Sequence, residues 1–168
     1  METQKQLWAG FDLLRLTHER ISNWSAQILG PLVFNFGTKE KAWNLTTADF
    51  LRFPEGTLGK ALGESLREAR LEPIAHAESH DVYHVLFDYS TTLKDEVGLQ
   101  FFLLGNGKTS IAAIGVSIGA WFIFPLQWNY LKRSYKQGKK CSDISKLDLK
   151  ALLHKDLDKI KISLFEKS

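Results

Sequence analysis

His80-Asp81-Val82-Tyr83-His84, with Glu96 twelve residues further on, is the part of this chain best equipped for chemistry. Histidines at i and i+4 stand one turn apart on one helix face, and a carboxylate from a following helix can fold back to meet them. Such a set can hold a divalent metal. Mixed nitrogen and oxygen donors suit zinc first, with iron, manganese or magnesium as alternatives to it, and they leave coordination positions for water or substrate. His80, Asp81, His84 and Glu96 are therefore the candidate ligands. Asp81 either completes the set or orients a bound water, which makes it the candidate catalytic residue.

The same letters admit a purely structural reading. Ser79 can cap a helix whose first turn contains Asp81. Thr92-Leu93-Lys94-Asp95 has the form of a capping box that puts Glu96 in the next first turn, where carboxylates are welcome in any case. Four potential ligands within seventeen residues tilt the balance toward metal.

Two helices must position these groups, one from His80 to near Tyr89 and one from Lys94 to Leu104, the second with an apolar stripe of Val97, Phe101 and Leu104. Glu96 lies off that stripe, beside Gln100 and Leu103. Upstream, apolar residues recur at helical spacing from Leu7 through Phe11, Leu14, Ile21 and Trp24 to Ile28, with His18 on the same seam as a core histidine. Asn44 to Phe53 reads as an irregular connector. Pro54-Glu55-Gly56 is a turn before a helix from Leu58 to about Arg70, in which Gly59 and Gly63 call for close packing. Gly105-Asn106-Gly107-Lys108-Thr109 lacks the first glycine of a phosphate loop, since Phe102 stands there, and reads as a helix stop followed by a helix start.

Ile111 to Leu126 carries no charge and runs into Trp128, Tyr130 and Lys132-Arg133. It is too short for the roughly 20 residues that span a bilayer. It is expected to form the core of a long apolar central helix over about 108–137, surrounded by other helices, a partner subunit or a long apolar ligand. Gly115 and Gly119 make a small-x3-small face on it; were a ligand the occupant, its tail would lie along Gly115, Gly119 and Phe122. No run of alternating strands occurs, so the fold class is all-α, with residues 1–168 forming a single helical domain.

The 168 residues carry a net charge of +3 and one cysteine, Cys141. A lone cysteine excludes an intramolecular disulfide and a cysteine-based zinc site, and fits a reducing compartment. Met1 to Gln6 lacks the features of a secretory signal, so a cytoplasmic protein is expected. Of the 22 basic residues, 11 lie from Lys132 onward. That end is either an ordinary solvated surface or one that meets an anionic membrane. No binding motif accompanies the lysines, which argues against nucleic acid.

His-Asp-x-x-His-x11-Glu, filled by His80, Asp81, His84 and Glu96, resembles the metal-ligand signature of the coenzyme Q (ubiquinone) biosynthesis Coq-four family. Pro54-Glu55-Gly56-Thr57-Leu58-Gly59-Lys60 is similar to that family's Leu-Pro-x-Gly-Thr-Leu-Gly-Arg segment, and Glu78 matches its glutamate two places before the first ligand. The resemblance covers about Leu51 to Gly107. It implies an all-helical fold, a divalent metal usually described as zinc, an isoprenoid-lipid cavity, oligomerisation and peripheral membrane association, on the cytoplasmic face of the inner membrane in a bacterium. It also implies action on a prenylated quinone precursor beside other quinone-biosynthesis proteins, by oxidative decarboxylation of a prenylated hydroxybenzoate ring. Two departures stand out. His76-Ala77-Glu78 replaces a common Tyr-Arg-Glu, and Lys60 replaces an arginine, keeping charge but losing the bidentate fork. A non-catalytic scaffold that binds isoprenoid lipid is the alternative, and a metal phosphohydrolase recruiting His18 is a third reading.

Overall fold

A computed structural model describes residues 41–108 and 127–166. The elements in order are α1 (Thr47–Phe50), α2 (Leu58–Ala69), α3 (Glu78–Phe87), α4 (Leu93–Asn106), α5 (Trp128–Lys140), a 3-10 turn (Ile144–Lys146), α6 (Leu149–Leu152) and α7 (Leu157–Phe165). The all-α expectation holds: the described residues contain an isolated bridge, Thr57 to Asp156, but no named strand. Among them no helix is long and apolar enough to cross a membrane.

Local chemistry sets most boundaries. Thr57 caps α2, its hydroxyl accepting from the Lys60 N–H, and Arg70 closes the helix in the left-handed region. Thr92 caps α4 by accepting from the Asp95 N–H, and Gly107 ends it at φ 88°. The helix stop read at Gly105 to Gly107 is thus present. α1 corrects the expectation of an irregular stretch from Asn44 to Phe53. Thr46 and Asp49 form a reciprocal capping box there, enough to wind four residues of helix. Beyond Cys141 the chain forms three further short elements, started by Asp143, Asp148 and Asp156, whose carboxylates accept backbone N–H groups.

The main core joins Phe50, Leu58, Leu62, Val82, Leu86, Leu99 and Phe102 to Ile144, Leu153 and Leu164, so the C-terminal segment packs on α2 to α4. Each such side chain contributes about 1.5–3 kcal/mol through burial. The bridge region seats that segment: Leu58 N–H donates to Lys155 O at 3.0 Å and Gly59 N–H to Leu153 O at 2.9 Å. Gly59 must be bare, because a Cβ there would lie 2.6 Å from the Phe53 ring, and one on Gly63 would lie 2.7 Å from Leu51 N. Both bear out the close-packing expectation.

α4 and α5 make the most extensive helix pair among the described residues. Leu131, Ser134 and Gly138 of α5 face inward, while Lys132, Arg133, Lys136, Lys139 and Lys140 are exposed. Val97, Phe101 and Leu131 form a second apolar cluster at this interface. Of the stretch expected to be one long helix over 108–137, the described part is a helix that starts at Trp128, with Gln127 as its N-cap, and runs to Lys140. The uncharged part, with Gly115, Gly119 and Phe122, lies outside the described residues, as does His18.

Candidate metal centre

α3 carries the two histidines, and it begins earlier than its sequence suggests. Its N-cap is Ala77, which makes no side-chain capping bond, so Ser79 lies inside the helix and does not cap it. Glu78 opens the first turn, where the helix dipole favours a carboxylate. Its Oε1 accepts the Trp43 N–H at 2.8 Å in a buried position. The glutamate that the sequence resemblance singles out therefore ties the incoming chain to the start of the metal helix.

His80 and His84 stack edge to face with ring centroids 4.7 Å apart, as i, i+4 spacing requires. Glu96 comes to them from the first turn of α4. His80 Nε2 lies 3.1 Å from Glu96 Oε2, His84 Nε2 lies 3.1 Å from Glu96 Oε1, and the two Nε2 atoms are 3.0 Å apart. Three groups able to ligate a metal thus converge on one point. A four-coordinate ion with bonds of about 2.0–2.1 Å holds neighbouring donors about 3.3 Å apart, so two imidazole nitrogens 3.0 Å apart, each faced by one Glu96 oxygen at 3.1 Å, suit a divalent metal.

The ring orientation supports the same fit. His84 Nδ1 lies 3.0 Å from the Tyr89 carbonyl oxygen. A carbonyl only accepts, so Nδ1 carries a proton in either charge state, and Nε2 is the nitrogen that faces Glu96 and His80 and would ligate a metal on giving up its own proton. The Tyr89 N–H in turn donates to His84 O at 3.1 Å, closing α3 where Asp88 turns left-handed at φ 56°.

The electrostatics of the triad are those of a tightly coupled group. Burial alone would raise the Glu96 carboxyl, but hydrogen bonds from His80 and His84 and their charges hold it down at about 2. Burial alone would lower His84, yet Glu96 outweighs it and the imidazole is shifted upward. Asp81 behaves differently. Burial raises its carboxyl to about 6 against the lowering influence of His80 and His84. It stands beside the triad and outside the converging donors, so three of the four candidate ligands are brought together and Asp81 takes a flanking position.

Several contributors were not legible in the sequence. Lys108 donates to the Tyr83 hydroxyl and lies 4.6 Å over the Tyr83 ring, next to His84 in sequence. Ser90 and Tyr130 hold Asp95, the residue before Glu96. Lys60 reaches Leu51 O at 3.3 Å and the Glu55 carboxylate at 2.8 Å, so its charge is engaged within its own segment.

No curated protein matches this chain. A crystal structure of a protein from Nostoc punctiforme PCC 73102, named for a proposed part in ubiquinone biosynthesis, has the same fold, with a TM-score of 0.62. The match is 18% identical and covers 99% of each chain. The profile of the family described as Coenzyme Q (ubiquinone) biosynthesis protein Coq4 matches residues 74–165, which include both metal-site helices. The chain belongs to the Coenzyme Q (ubiquinone) biosynthesis protein Coq4 family.

Proposed function

We propose that this protein acts in the biosynthesis of coenzyme Q or a related quinone by holding a divalent metal, zinc foremost, on His80, His84 and Glu96, and by decarboxylating a prenylated hydroxybenzoate there. The observation that carries this reading is the convergence of three ligating side chains, with contacts of 3.0–3.1 Å, from two helices. Family membership supports the pathway.

Held by His80, His84 and Glu96, a divalent ion would supply Lewis acidity toward an anionic head group. The protein's own groups do the rest. Tyr89 fixes the His84 tautomer, and the two imidazoles and Glu96 present a rigid face toward the head group. Asp81, buried beside the triad, is the group placed to exchange a proton with the head group. In the net reaction the bond from ring carbon to carboxylate breaks and a bond from the same carbon to hydroxyl oxygen forms. Two electrons pass to an external oxidant such as dioxygen, since zinc does not change valence.

Gly115, Gly119 and Phe122 are the residues proposed to receive the isoprenoid tail. The exposed cations of α5 support contact with an anionic membrane surface, where such a lipid resides. Association with other quinone-biosynthesis proteins and with further copies of this chain is part of the same proposal.

The test is native mass spectrometry of freshly purified protein, with elemental analysis and organic extraction of the same sample. One metal per chain with a prenylated lipid, followed by carbon dioxide release from a prenylated hydroxybenzoate, is the expected result. Lipid and metal without turnover would convert the reading to a lipid-binding scaffold. Metal with phosphatase activity and no lipid would overturn it.

A further inference from the structure

Glu96 reaches the histidines from a helix turn that is itself held by a neighbour with no place in the metal site. Asp95 precedes it, and both of its carboxylate oxygens are committed. Oδ1 accepts from the Tyr130 hydroxyl at 2.7 Å, and Oδ2 accepts from both the hydroxyl and the N–H of Ser90. Tyr130 comes from α5, thirty-five residues away, and Ser90 from the loop that leaves α3. That loop also supplies the Tyr89 carbonyl that orients His84. One short connection therefore bonds the candidate ligand His84 at one end and Asp95, the neighbour of Glu96, at the other, and α5 closes it from outside.

The packing around Tyr130 is built for this contact. Gly98 lies one turn beyond Lys94, and a Cβ on it would sit 2.7 Å from the Tyr130 hydroxyl oxygen, so the ring can approach α4 only over a glycine. Lys94 Nζ lies 4.4 Å over the ring. Phe101 and Trp128 meet edge to face at 5.9 Å and fix the first turn of α5 against the middle of α4. A capping role for Asp95 does not account for these bonds. Thr92 needs only the Asp95 N–H, and the carboxylate is turned away to Ser90 and Tyr130.

We infer that Tyr130 and Asp95 form a positioning pair that sets the Glu96 carboxylate against His80 and His84, so that metal affinity depends on a hydroxyl group on α5. The inference rests on the metal reading of the triad. Tyr130 touches no donor atom of the site; it acts through Asp95 and the backbone turn that the two acids share. Groups hydrogen-bonded directly to a ligand hold metal affinity by about 10–100-fold, and a pair acting one residue away is expected at the lower end of that range.

Tyr130→Phe tests it, because the ring and its packing stay and only the hydroxyl goes. Affinity for Co(II) and Zn(II) is measured by competition with a chromophoric chelator, alongside the Co(II) visible spectrum at saturation and the melting temperature of metal-free protein. The expected result is about a tenfold weaker affinity and an altered Co(II) band. Asp95→Asn gives the same shift, and serves alone if Tyr130→Phe does not fold. A variant that binds both metals like the wild type, with an unchanged Co(II) band, overturns the positioning pair, while loss of metal in Glu96→Gln shows that the triad reading still stands. A wild-type protein that takes up neither metal overturns the triad, and the positioning pair with it.

Discussion

His84 donates its Nδ1–H to the Tyr89 carbonyl oxygen at 3.0 Å, which places Nε2 within 3.1 Å of Glu96 and 3.0 Å of His80. The neutral imidazole so held is committed to one tautomer, the one in which Nε2 is the ligating atom. His84→Ala is expected to bring metal content from one per chain to near zero while the helical circular dichroism spectrum is retained. Elemental analysis after gel filtration checks this, and a variant still holding stoichiometric metal would remove His84 from the ligand set.

Asp81 separates two roles that its position in the motif leaves mixed. Its carboxyl lies outside the converging donors and, pushed up by burial, sits at about 6. Asp81→Asn is expected to keep stoichiometric metal and to lower turnover of a prenylated hydroxybenzoate by about 100-fold, within the range of general acid–base contributions. Loss of the metal in this variant would make Asp81 a ligand instead.

Glu78 illustrates how far the motif could be read without a fold. Its place two residues before His80 is visible in the sequence, but its partner, the N–H of Trp43, lies 35 residues away. The His80, His84 and Glu96 set was legible because ligation imposes a spacing that few other constraints impose. Asp95 is the contrary case. Thr92-x-x-Asp95 spells a capping box, and only the packing of α5 shows that its carboxylate serves Ser90 and Tyr130. Ser79 misled because a serine before an acidic first turn is a strong local signal, whereas α3 starts two residues earlier on Ala77. The short helices after Cys141 have their own aspartate caps, but their apolar residues are too few to show a period before Ile160 and Leu164 are seen buried against the core.

If Glu78 acts through the Trp43 N–H, its removal should cost stability and not metal. Glu78→Ala leaves a buried donor unpaired and is expected to destabilise the protein by about 1–3 kcal/mol. Glu78→Gln retains an acceptor oxygen and should recover most of that loss. Urea titration gives the stabilities, and unchanged metal stoichiometry in both variants completes the comparison.

The α4 to α5 contact makes a sharper prediction. A Cβ on Gly138 would lie 1.9 Å from Phe102 O, and one on Gly105 would lie 2.1 Å from Tyr135 O, so backbone meets backbone at both points. Gly138→Ala gains helix propensity of about 1 kcal/mol yet forces the two helices apart. Overpacking of this kind costs about 1–3 kcal/mol or more, and a fall in melting temperature is the expected net result. Gly107 is the control. Nothing lies within 4 Å of its Cβ position, and its φ of +88° is the only obstacle, so Gly107→Asn should be far milder.

Cys141 is buried, and its thiol is pushed by that burial up to about 11 from an ordinary value of 9.0. Reaction with a disulfide reagent requires the thiolate, so native protein at pH 8 should label slowly and protein in denaturant within seconds. The sign of the stability effect follows from the same shift. Below pH 9 both folded and unfolded chains hold the proton and folding is unaffected; between pH 9 and 11 the unfolded chain releases it first, so stability falls as pH rises. The urea midpoint of the wild type should therefore decline across that window more steeply than that of Cys141→Ala, which has no thiol to ionise. Parallel declines in the two proteins would mean that the thiol titrates alike in both states and that its burial in the fold is incomplete.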